Sequence, residues 1–186
     1  VTKKMLEEIK PDALIVAIGS SPFVLPIEGS EKAIVAHDVL SEKVEVPGEN
    51  VVIIGGGLVG FETAEFLAAR QKKVTILEMK EKALQDLGPL RQITAQFAMA
   101  QMPITIETSA TVERIEDHAV VASGKEYPYD SVIMAVGSKA NDTSIYTDLG
   151  IPTYIIGSTA PAINVAPPKI VCVNGFVLPL KFASSF

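Results

Sequence analysis

Continuous apolar runs of strand length recur along the chain, and several of them end on glycine. Residues 12–19 (DALIVAIG) and 129–137 (YDSVIMAVG) share one order: an aspartate, an apolar run and then Ala-x-Gly. Residues 51–54 (VVII) also lead directly into glycines, and residues 74–78 (VTILE) end on a glutamate. Runs of this kind are typical of strands that are buried on both faces of a parallel sheet. We therefore predict a buried strand at each of these positions.

Helical patterns separate these strands. Apolar residues spaced by three and four predict helices over residues 2–10 and 90–101, and a third helix-like run extends from after Gly57 to about Arg70. Residues 33–40 (AIVAHDVL) predict a short strand that leads into a turn or short helix. In the helix over 90–101 the apolar positions are Leu90, Ile93 and Phe97. Strands that alternate with helices indicate an α/β fold with a Rossmann-type parallel sheet.

Short alternating or β-branched runs follow at residues 104–108 (ITIET), 111–115 (TVERI) and 119–122 (AVVA). Turn-like residues, Asp117-His118 and Ser123-Gly124, flank the last of them. This pattern predicts a small antiparallel β-meander beside the parallel sheet.

The middle of the chain, residues 48–135, contains a strand–helix–strand unit and the predicted meander. The flanks, residues 1–47 and 136–186, are each too short to form a domain. We therefore predict that the two flanks form part of a second domain, into which the middle domain is inserted.

Three spaced glycines lie between a predicted strand and the helix that follows it, in the order Gly55-x-Gly57-x-x-Gly60. In this context each has a role in dinucleotide binding: the first permits a tight turn, the second lets the backbone approach a pyrophosphate, and the third lets the helix pack against the strand. The first helical residues, Leu58 and Val59, are expected to present unpaired N–H groups and the positive end of the helix dipole to the phosphates.

Glu78 ends the next predicted strand, 18 residues after Gly60. A carboxylate at this position accepts hydrogen bonds from the adenosine ribose hydroxyls and repels a 2′-phosphate, so NADH is expected rather than NADPH. The alternative interpretation is a plain strand–helix turn with a solvated glutamate at a strand end. The complete order of strand, glycines, helix, strand and acid favours NAD(H) binding.

Residues 52–68 (VIIGGGLVGFETAEFLA) resemble the NAD-binding domain of the two-dinucleotide-binding-domain flavoprotein superfamily, in which an NAD domain is inserted into an FAD domain. Glu62 matches the acid of that superfamily's GGGxxGxExA pattern, which lies near the nicotinamide. Gly19 and Gly137 end Ala-x-Gly strands, which the resemblance places at the crossings between the two domains. With residues 10–29 (KPDALIVAIGSSPFVLPIEG), the chain is most similar to the C-terminal FAD/NAD(P)-binding reductase portion of NADH:flavin oxidoreductases related to old yellow enzyme, such as 2,4-dienoyl-CoA reductase.

This resemblance implies an oxidoreductase in which NADH reduces FAD, and electrons then pass to an iron–sulfur cluster and FMN for reduction of an enoate or enoyl-CoA type double bond. It also implies that FMN and the cluster lie in an N-terminal barrel outside this chain, which would be its partner within the same protein. Because hydride passes directly from nicotinamide to flavin, no catalytic residue is assigned to this chain.

The chain departs from that family near both ends. The family's FAD-gripping glycine motif would precede Val1, and Ser158 stands where the family has an aspartate. Residues 166–186 begin with Ala-Pro-Pro and do not resemble the family's final helix. We therefore expect either a fragment of a larger enzyme or a degenerate relative. In either case the chain is expected to be inactive alone, with FAD in the parent protein rather than in this chain. Its apolar tail, residues 176–186, is predicted to fill the place of the missing FAD half or to contact a second copy in a homo-oligomer.

Composition and charge argue against several other classes of protein. The 186 residues carry a net charge of -6, which disfavours nucleic acid as a partner. No apolar stretch approaches the ~20 residues of a membrane span, so no membrane association is expected. Cys172 is the only cysteine and there are two histidines, so neither a disulfide nor a metal site is predicted. These features are compatible with a reducing, cytoplasmic setting.

Two other functions are compatible with parts of the pattern. A non-enzymatic module could bind or sense NAD(H) without turnover. A free-standing dehydrogenase would need a substrate domain and a proton-transfer residue, and the sequence offers neither.

Overall fold

The computed structural model describes residues 2–85, 88–147 and 150–157. The expectations for Ser158, Cys172 and the apolar tail concern residues outside these ranges. The described residues form two compact units, of which the larger comprises residues 22–137. The smaller unit contains the described residues before position 22 and after position 137.

Within these ranges the α-helices are α1 (Lys3–Ile9), α2 (Ala36–Leu40), α3 (Leu58–Ala68), α4 (Pro89–Gln101) and α5 (Ser144–Thr147). The strands are β1 (Leu14–Val16), β2 (Ser20–Pro22), β3 (Ile34–Val35), β4 (Asn50–Ile54), β5 (Lys73–Leu77), β6 (Ile104–Glu107), β7 (Val112–Ile115), β8 (Ala119–Ala122), β9 (Lys125–Pro128), β10 (Ser131–Met134), β11 (Ser138–Ala140) and β12 (Thr153–Ile155). The predicted helices and buried strands are confirmed, with ends that differ by a few residues. No helix in the described part of the chain is long and apolar enough to cross a membrane.

A five-stranded parallel sheet forms the centre of the larger unit, in the order β3-β10-β4-β5-β6. The middle strand, β4, pairs with β5 on one side and with β10 on the other. A separate antiparallel sheet of three strands, β7-β8-β9, completes the unit. The predicted fold class, a Rossmann-type α/β sheet with a small antiparallel meander, is confirmed.

Alternation along the central strands assigns their side chains to the two faces of the parallel sheet. In β4, Val51 and Ile53 face a core that includes residues of α2, α3 and α4. Val52 and Ile54 face the opposite core, to which the meander contributes Val120 among other residues. The sheet is therefore covered by helices on one face and by the meander on the other, which explains why β4 and β10 are buried along almost their whole length.

The prediction that residues 104–108 belong to the meander is wrong. These residues form β6, which pairs in parallel with β5 and places Leu77 opposite Glu107. The third strand of the meander is instead β9, which pairs with β8 in antiparallel register. An edge strand is only partly buried, so its sequence alternates in the same way as a hairpin strand and the two cannot be separated by period alone.

The larger unit begins at residue 22 and includes β3 and α2, which precede the predicted start of the NAD(H)-binding domain at residue 48. β3 pairs with β10, and Ala36 and Val39 of α2 are buried in the helical core. The unit ends at Gly137, two residues beyond the predicted limit of 135. The first flank therefore contributes to both units.

Asp130 connects the amino ends of β10 and β4. Its Oδ2 accepts hydrogen bonds from the backbone N–H groups of Asn50 at 2.8 Å and Glu49 at 2.9 Å, and from the Asn50 side chain at 3.1 Å. The bonds from the backbone of Asn50 and of Glu49 lower the pKa of the Asp130 carboxyl. A Cβ on Gly48 would lie 2.1 Å from the Asp130 Cβ, so glycine makes room for this contact.

The smaller unit has its own apolar cluster. β1 pairs in parallel with β12, and β2 pairs with β11. Leu6 of α1 is buried together with Leu14 and Val16 of β1, and Tyr146 and Ile155 pack against them.

Candidate functional site

The turn between β4 and α3 carries the three spaced glycines, and contacts within the chain account for two of them. Gly55 has a φ of 110°, in the left-handed region, and a Cβ there would lie 2.5 Å from the Ala135 carbonyl oxygen. A Cβ on Gly60 would lie 2.0 Å from the Gly55 carbonyl oxygen. A side chain at Gly60 would therefore push α3 away from the turn.

Gly57 is required by neither backbone conformation nor packing. It is the N-cap of α3 in an extended conformation, with a φ of -81° and a ψ of -170°, and a Cβ there would meet no atom within 4 Å. No side chain of the described residues caps the helix, and its first turn contains no acidic residue. The next residues, Leu58 and Val59, are 43% and 42% exposed. The start of α3 therefore directs N–H groups and a positive dipole end into open space.

Glu78 lies beside this turn and is only 8% exposed. Its Oε2 accepts a hydrogen bond from the backbone N–H of Gly56 at 2.7 Å, and its Oε1 accepts one from the backbone N–H of Lys80 at 2.9 Å. The parallel register of β4 and β5 places Ile54 opposite Leu77, so the residue after each strand reaches the same edge of the sheet. The carboxylate is thus held next to the glycine turn by two backbone donors.

The two remaining predicted site residues, Glu62 and Gly137, lie on neighbouring elements. Glu62 is exposed on α3. A hydrogen bond from Arg91 to Glu65, with the charges of Glu65 and Glu62, raises the pKa of Arg91. Gly137 follows β10 with a φ of 95°, and its carbonyl oxygen accepts a hydrogen bond from the Phe23 N–H at 2.9 Å.

The fold therefore places most of the predicted site residues in one turn, with Glu78 against it. The residues in the turn and the first turn of the helix are Gly55, Gly57, Leu58, Val59 and Gly60. Sequence reasoning missed Gly56 and the backbone N–H of Lys80, which bind the Glu78 carboxylate. The available signal for Gly56 is the unbroken run of three glycines, which the GGGxxGxExA pattern contains and the shorter GxGxxG pattern does not.

A separate surface cavity of about 320 Å³ shares no lining residue with the turn and lies between residues 28–32 and residues 114–117. Four of its charged side chains form two ion pairs: Lys32 binds Asp117 at 2.6 Å and Arg114 binds Glu116 at 2.8 Å. In the residues that the structure describes, no group of His, Cys, Asp and Glu side chains could hold a metal ion. The glycine turn with Glu78 therefore remains the strongest candidate site.

Residues 1–159 match the family model described as pyridine nucleotide-disulphide oxidoreductase. The chain belongs to the pyridine nucleotide-disulphide oxidoreductase family. The matched region includes the whole glycine turn and the strand that leads to Glu78. The coarser expectation from the sequence, an FAD/NAD(P)-binding portion of flavin oxidoreductases, is confirmed.

The relatives of this chain are much longer than the chain itself. It is 38% identical over 143 residues to cinnamate reductase of Clostridium sporogenes, a match that covers 73% of this chain and 21% of the relative. It is 34% identical over 162 residues to bilirubin reductase of Mediterraneibacter gnavus, covering 83% of this chain and 25% of the relative. The solved structure of a 2-naphthoyl-CoA reductase in complex with 2-naphthoyl-CoA matches with a TM-score of 0.75 and 31% identity, over 86% of this chain and 26% of that one. The chain thus spans about a quarter of the length of these relatives.

Proposed function

We propose that the chain binds NADH at the turn of residues 55–60 and is the NADH-binding module of a flavin-dependent oxidoreductase. The observation that carries the proposal is the pairing of an open helix start at Gly57 with a held carboxylate at Glu78. A dinucleotide needs donors for its pyrophosphate and an acceptor for its adenosine ribose, and the turn together with Glu78 beside it offers both.

The residues present fit the pyrophosphate of NADH. The N–H groups at the start of α3, at Leu58 and Val59, can donate to phosphate oxygens, and the helix dipole favours their negative charge. Gly57 keeps this approach open, since no described atom lies within 4 Å of the position that a Cβ would take there.

The residues present also fit the adenosine ribose. An ionised carboxylate has about four acceptor positions. Among the described residues, Gly56 and Lys80 each donate to one oxygen of Glu78, and the further acceptor positions of the two oxygens suit the ribose hydroxyls. In NADPH a phosphate replaces the 2′-hydroxyl, and its charge would face the Glu78 carboxylate. The chain is therefore proposed to prefer NADH.

When bound, the nicotinamide supplies a hydride for a flavin to accept. The residues of this chain position the cofactor and need to move no proton. Glu62, exposed on α3, is proposed to lie near the nicotinamide, and Gly137 is proposed to lie beside the cofactor where the chain passes from one unit to the other. We assign no catalytic residue to this chain.

For the whole protein we propose reduction of an enoate or enoyl-CoA type double bond, with NADH reducing FAD and electrons passing on to FMN and an iron–sulfur cluster. The relatives named cinnamate reductase and 2-naphthoyl-CoA reductase support this substrate class. FMN and the cluster are proposed for a part of the protein beyond the roughly one quarter that this chain spans.

The proposal is tested by calorimetric titration of the chain with NADH and with NADPH, for the wild type and for Glu78→Ala. We expect the wild type to bind NADH more tightly, and the variant to lose about tenfold or more in NADH affinity, because hydrogen bonds to a charged group contribute ~1.5–3 kcal/mol. Glu126→Ala is the matched control, since Glu126 is an exposed glutamate of β9 outside the site.

Binding of neither cofactor by the wild type would contradict the proposed site, and equal affinity for both would contradict the preference for NADH. Retained yellow flavin and NADH-driven dye reduction would distinguish an oxidoreductase from a module that only binds NAD(H).

A further inference from the structure

Gly56 is the glycine of this turn that dinucleotide binding does not itself explain. Its backbone N–H donates to Oε2 of Glu78 at 2.7 Å, across 22 positions of sequence. A Cβ on Gly56 would lie 2.9 Å from the Glu78 Cβ and 3.0 Å from its Oε2. The first of these atoms is fixed to the backbone, so the clash could not be relieved by rotation at the end of the side chain. Gly56 therefore makes room for Glu78 and also binds it.

The second oxygen of Glu78 is held from the other side. Its Oε1 accepts the N–H of Lys80 at 2.9 Å, two residues further along the chain. With 8% exposure and a backbone donor on each oxygen, the carboxylate has one strongly preferred orientation before any ligand arrives.

We infer that Gly56 is a positioning residue that sets the preference for NADH over NADPH by holding the Glu78 carboxylate against the turn. This inference rests on the proposed function, because it concerns how the ribose acceptor of that site is kept in place. A glutamate side chain that is free to rotate could turn away from a 2′-phosphate. A carboxylate bound by Gly56 and Lys80 cannot do so without giving up a charge-assisted hydrogen bond to each.

Gly57 provides the comparison that separates this role from the general need for glycine in the turn. A Cβ on Gly57 would meet no protein atom within 4 Å, whereas a Cβ on Gly56 would meet Glu78. An alanine at Gly57 should obstruct the phosphates, which NADH and NADPH share. An alanine at Gly56 should displace the Glu78 carboxylate, which is proposed to bind the adenosine ribose. The two cofactors differ at the 2′ position of that ribose.

The test is calorimetric titration of the full chain with NADH and with NADPH, for the wild type, Gly56→Ala and Gly57→Ala. The readout is the ratio of the two dissociation constants. A merely structural disturbance of the turn would weaken the binding of both cofactors alike and leave this ratio unchanged. For Gly56→Ala we expect the preference for NADH to fall by about tenfold, the order of one hydrogen bond to a charged group. For Gly57→Ala we expect weaker binding of both cofactors with an unchanged ratio.

Gly88→Ala is the control for glycine replacement as such, because a Cβ there meets no atom within 4 Å and the residue lies outside the turn. It should leave both dissociation constants unchanged. If thermal melting shows that Gly56→Ala does not fold, Glu78→Asp replaces it. That variant keeps the charge but withdraws the carboxylate by one methylene from the Gly56 N–H, and its preference for NADH should also fall.

An unchanged cofactor ratio in folded Gly56→Ala, or in Glu78→Asp if that variant is needed, would overturn the inference while the proposed function stands. Failure of the wild type to bind either cofactor would remove the proposed function and the inference with it. The two failures are therefore distinguishable in one series of titrations.

Discussion

Two carboxylates accept hydrogen bonds from backbone N–H groups at opposite ends of the strands in the parallel sheet. Glu78 follows β5 at the carboxyl edge, which is where ligands of open α/β sheets bind. Asp130 precedes β10 at the amino edge and binds the N–H groups of Asn50 and Glu49. At the scale of single residues we therefore expect replacement of Glu78 to change cofactor binding, and replacement of Asp130 to change stability.

Asp130→Asn should destabilise the chain in a pH-dependent way. The backbone N–H groups of Asn50 and Glu49 lower the pKa of the Asp130 carboxyl, so the folded state favours the ionised form. Its contribution to stability is therefore present above the unfolded-state pKa of about 3.9, and is lost as the pH falls through the lower pKa of the folded state. Urea unfolding followed by circular dichroism should give a lower midpoint for the variant than for the wild type at pH 7. The difference between the two midpoints should become smaller as the medium is acidified below that unfolded-state pKa.

The control for this prediction is Asp12→Asn, which makes the same chemical change at an exposed aspartate of the smaller unit. Its urea midpoint should equal that of the wild type at pH 7 and also in acid below the unfolded-state pKa. A difference between Asp130→Asn and wild type that is equally large in acid would argue against the carboxylate as its source.

The candidate site could be predicted from sequence wherever spacing along one segment defines it. The order of Gly55, Gly57, Gly60 and Glu78 is readable because strand, turn, helix and strand follow one another directly. The role of Gly56 could not be predicted, because it depends on a contact with a side chain 22 positions away. Such contacts follow from the register of β4 and β5, and a single sequence does not contain that register.

At the scale of elements, α3 and α4 bury their apolar residues to very different extents. Phe61 and Leu67 of α3 are completely or almost completely buried in the helical core. In α4 the apolar residues spaced by three and four are largely exposed, with Leu90 at 77%, whereas Ala95 is buried. The apolar period predicted both helices correctly, but it did not predict which face of α4 contacts the core.

Matched Leu→Ala substitutions test this difference. Leu67→Ala should lower the free energy of unfolding by about 2–5 kcal/mol, because it leaves a cavity in a closely packed core. Leu90→Ala should change it by no more than about 0.5 kcal/mol, since the side chain is already in water. Urea unfolding of the two variants provides the measurement. Similar destabilisation by both would contradict the assignment of the buried face of α4.

The error at β6 has a physical origin in what a period along the sequence can report. Alternation reports that a strand has one apolar face, but does not report which strand it pairs with. Residues 104–107 alternate because β6 is a partly buried edge of the parallel sheet, and hairpin strands of the meander alternate in the same way. The central strands gave no such ambiguity, because β4 and β10 are buried on both faces.

At the scale of the whole molecule, the chain consists of a larger unit that contains the candidate site and a smaller unit built from both flanks. The sequence predicts an inserted domain because each flank is too short to form a domain of its own, and the chain passes between the two compact units at residues 21–22 and 137–138, near Gly19 and Gly137. The exact limits could not be predicted, because β3 and α2 join the larger unit through pairing with β10 and burial in its core.

The most direct test of the account is to map NADH onto the chain by nuclear magnetic resonance. In a titration of the isotopically labelled chain with NADH, we expect the largest backbone amide shifts at residues 56–60 and at Glu78 and Lys80. Amides at the opposite edge of the sheet, at Glu49 and Asn50, should remain nearly unchanged. Shifts confined to the smaller unit, or concentrated at that opposite edge, would contradict the claim that the glycine turn is the NADH site.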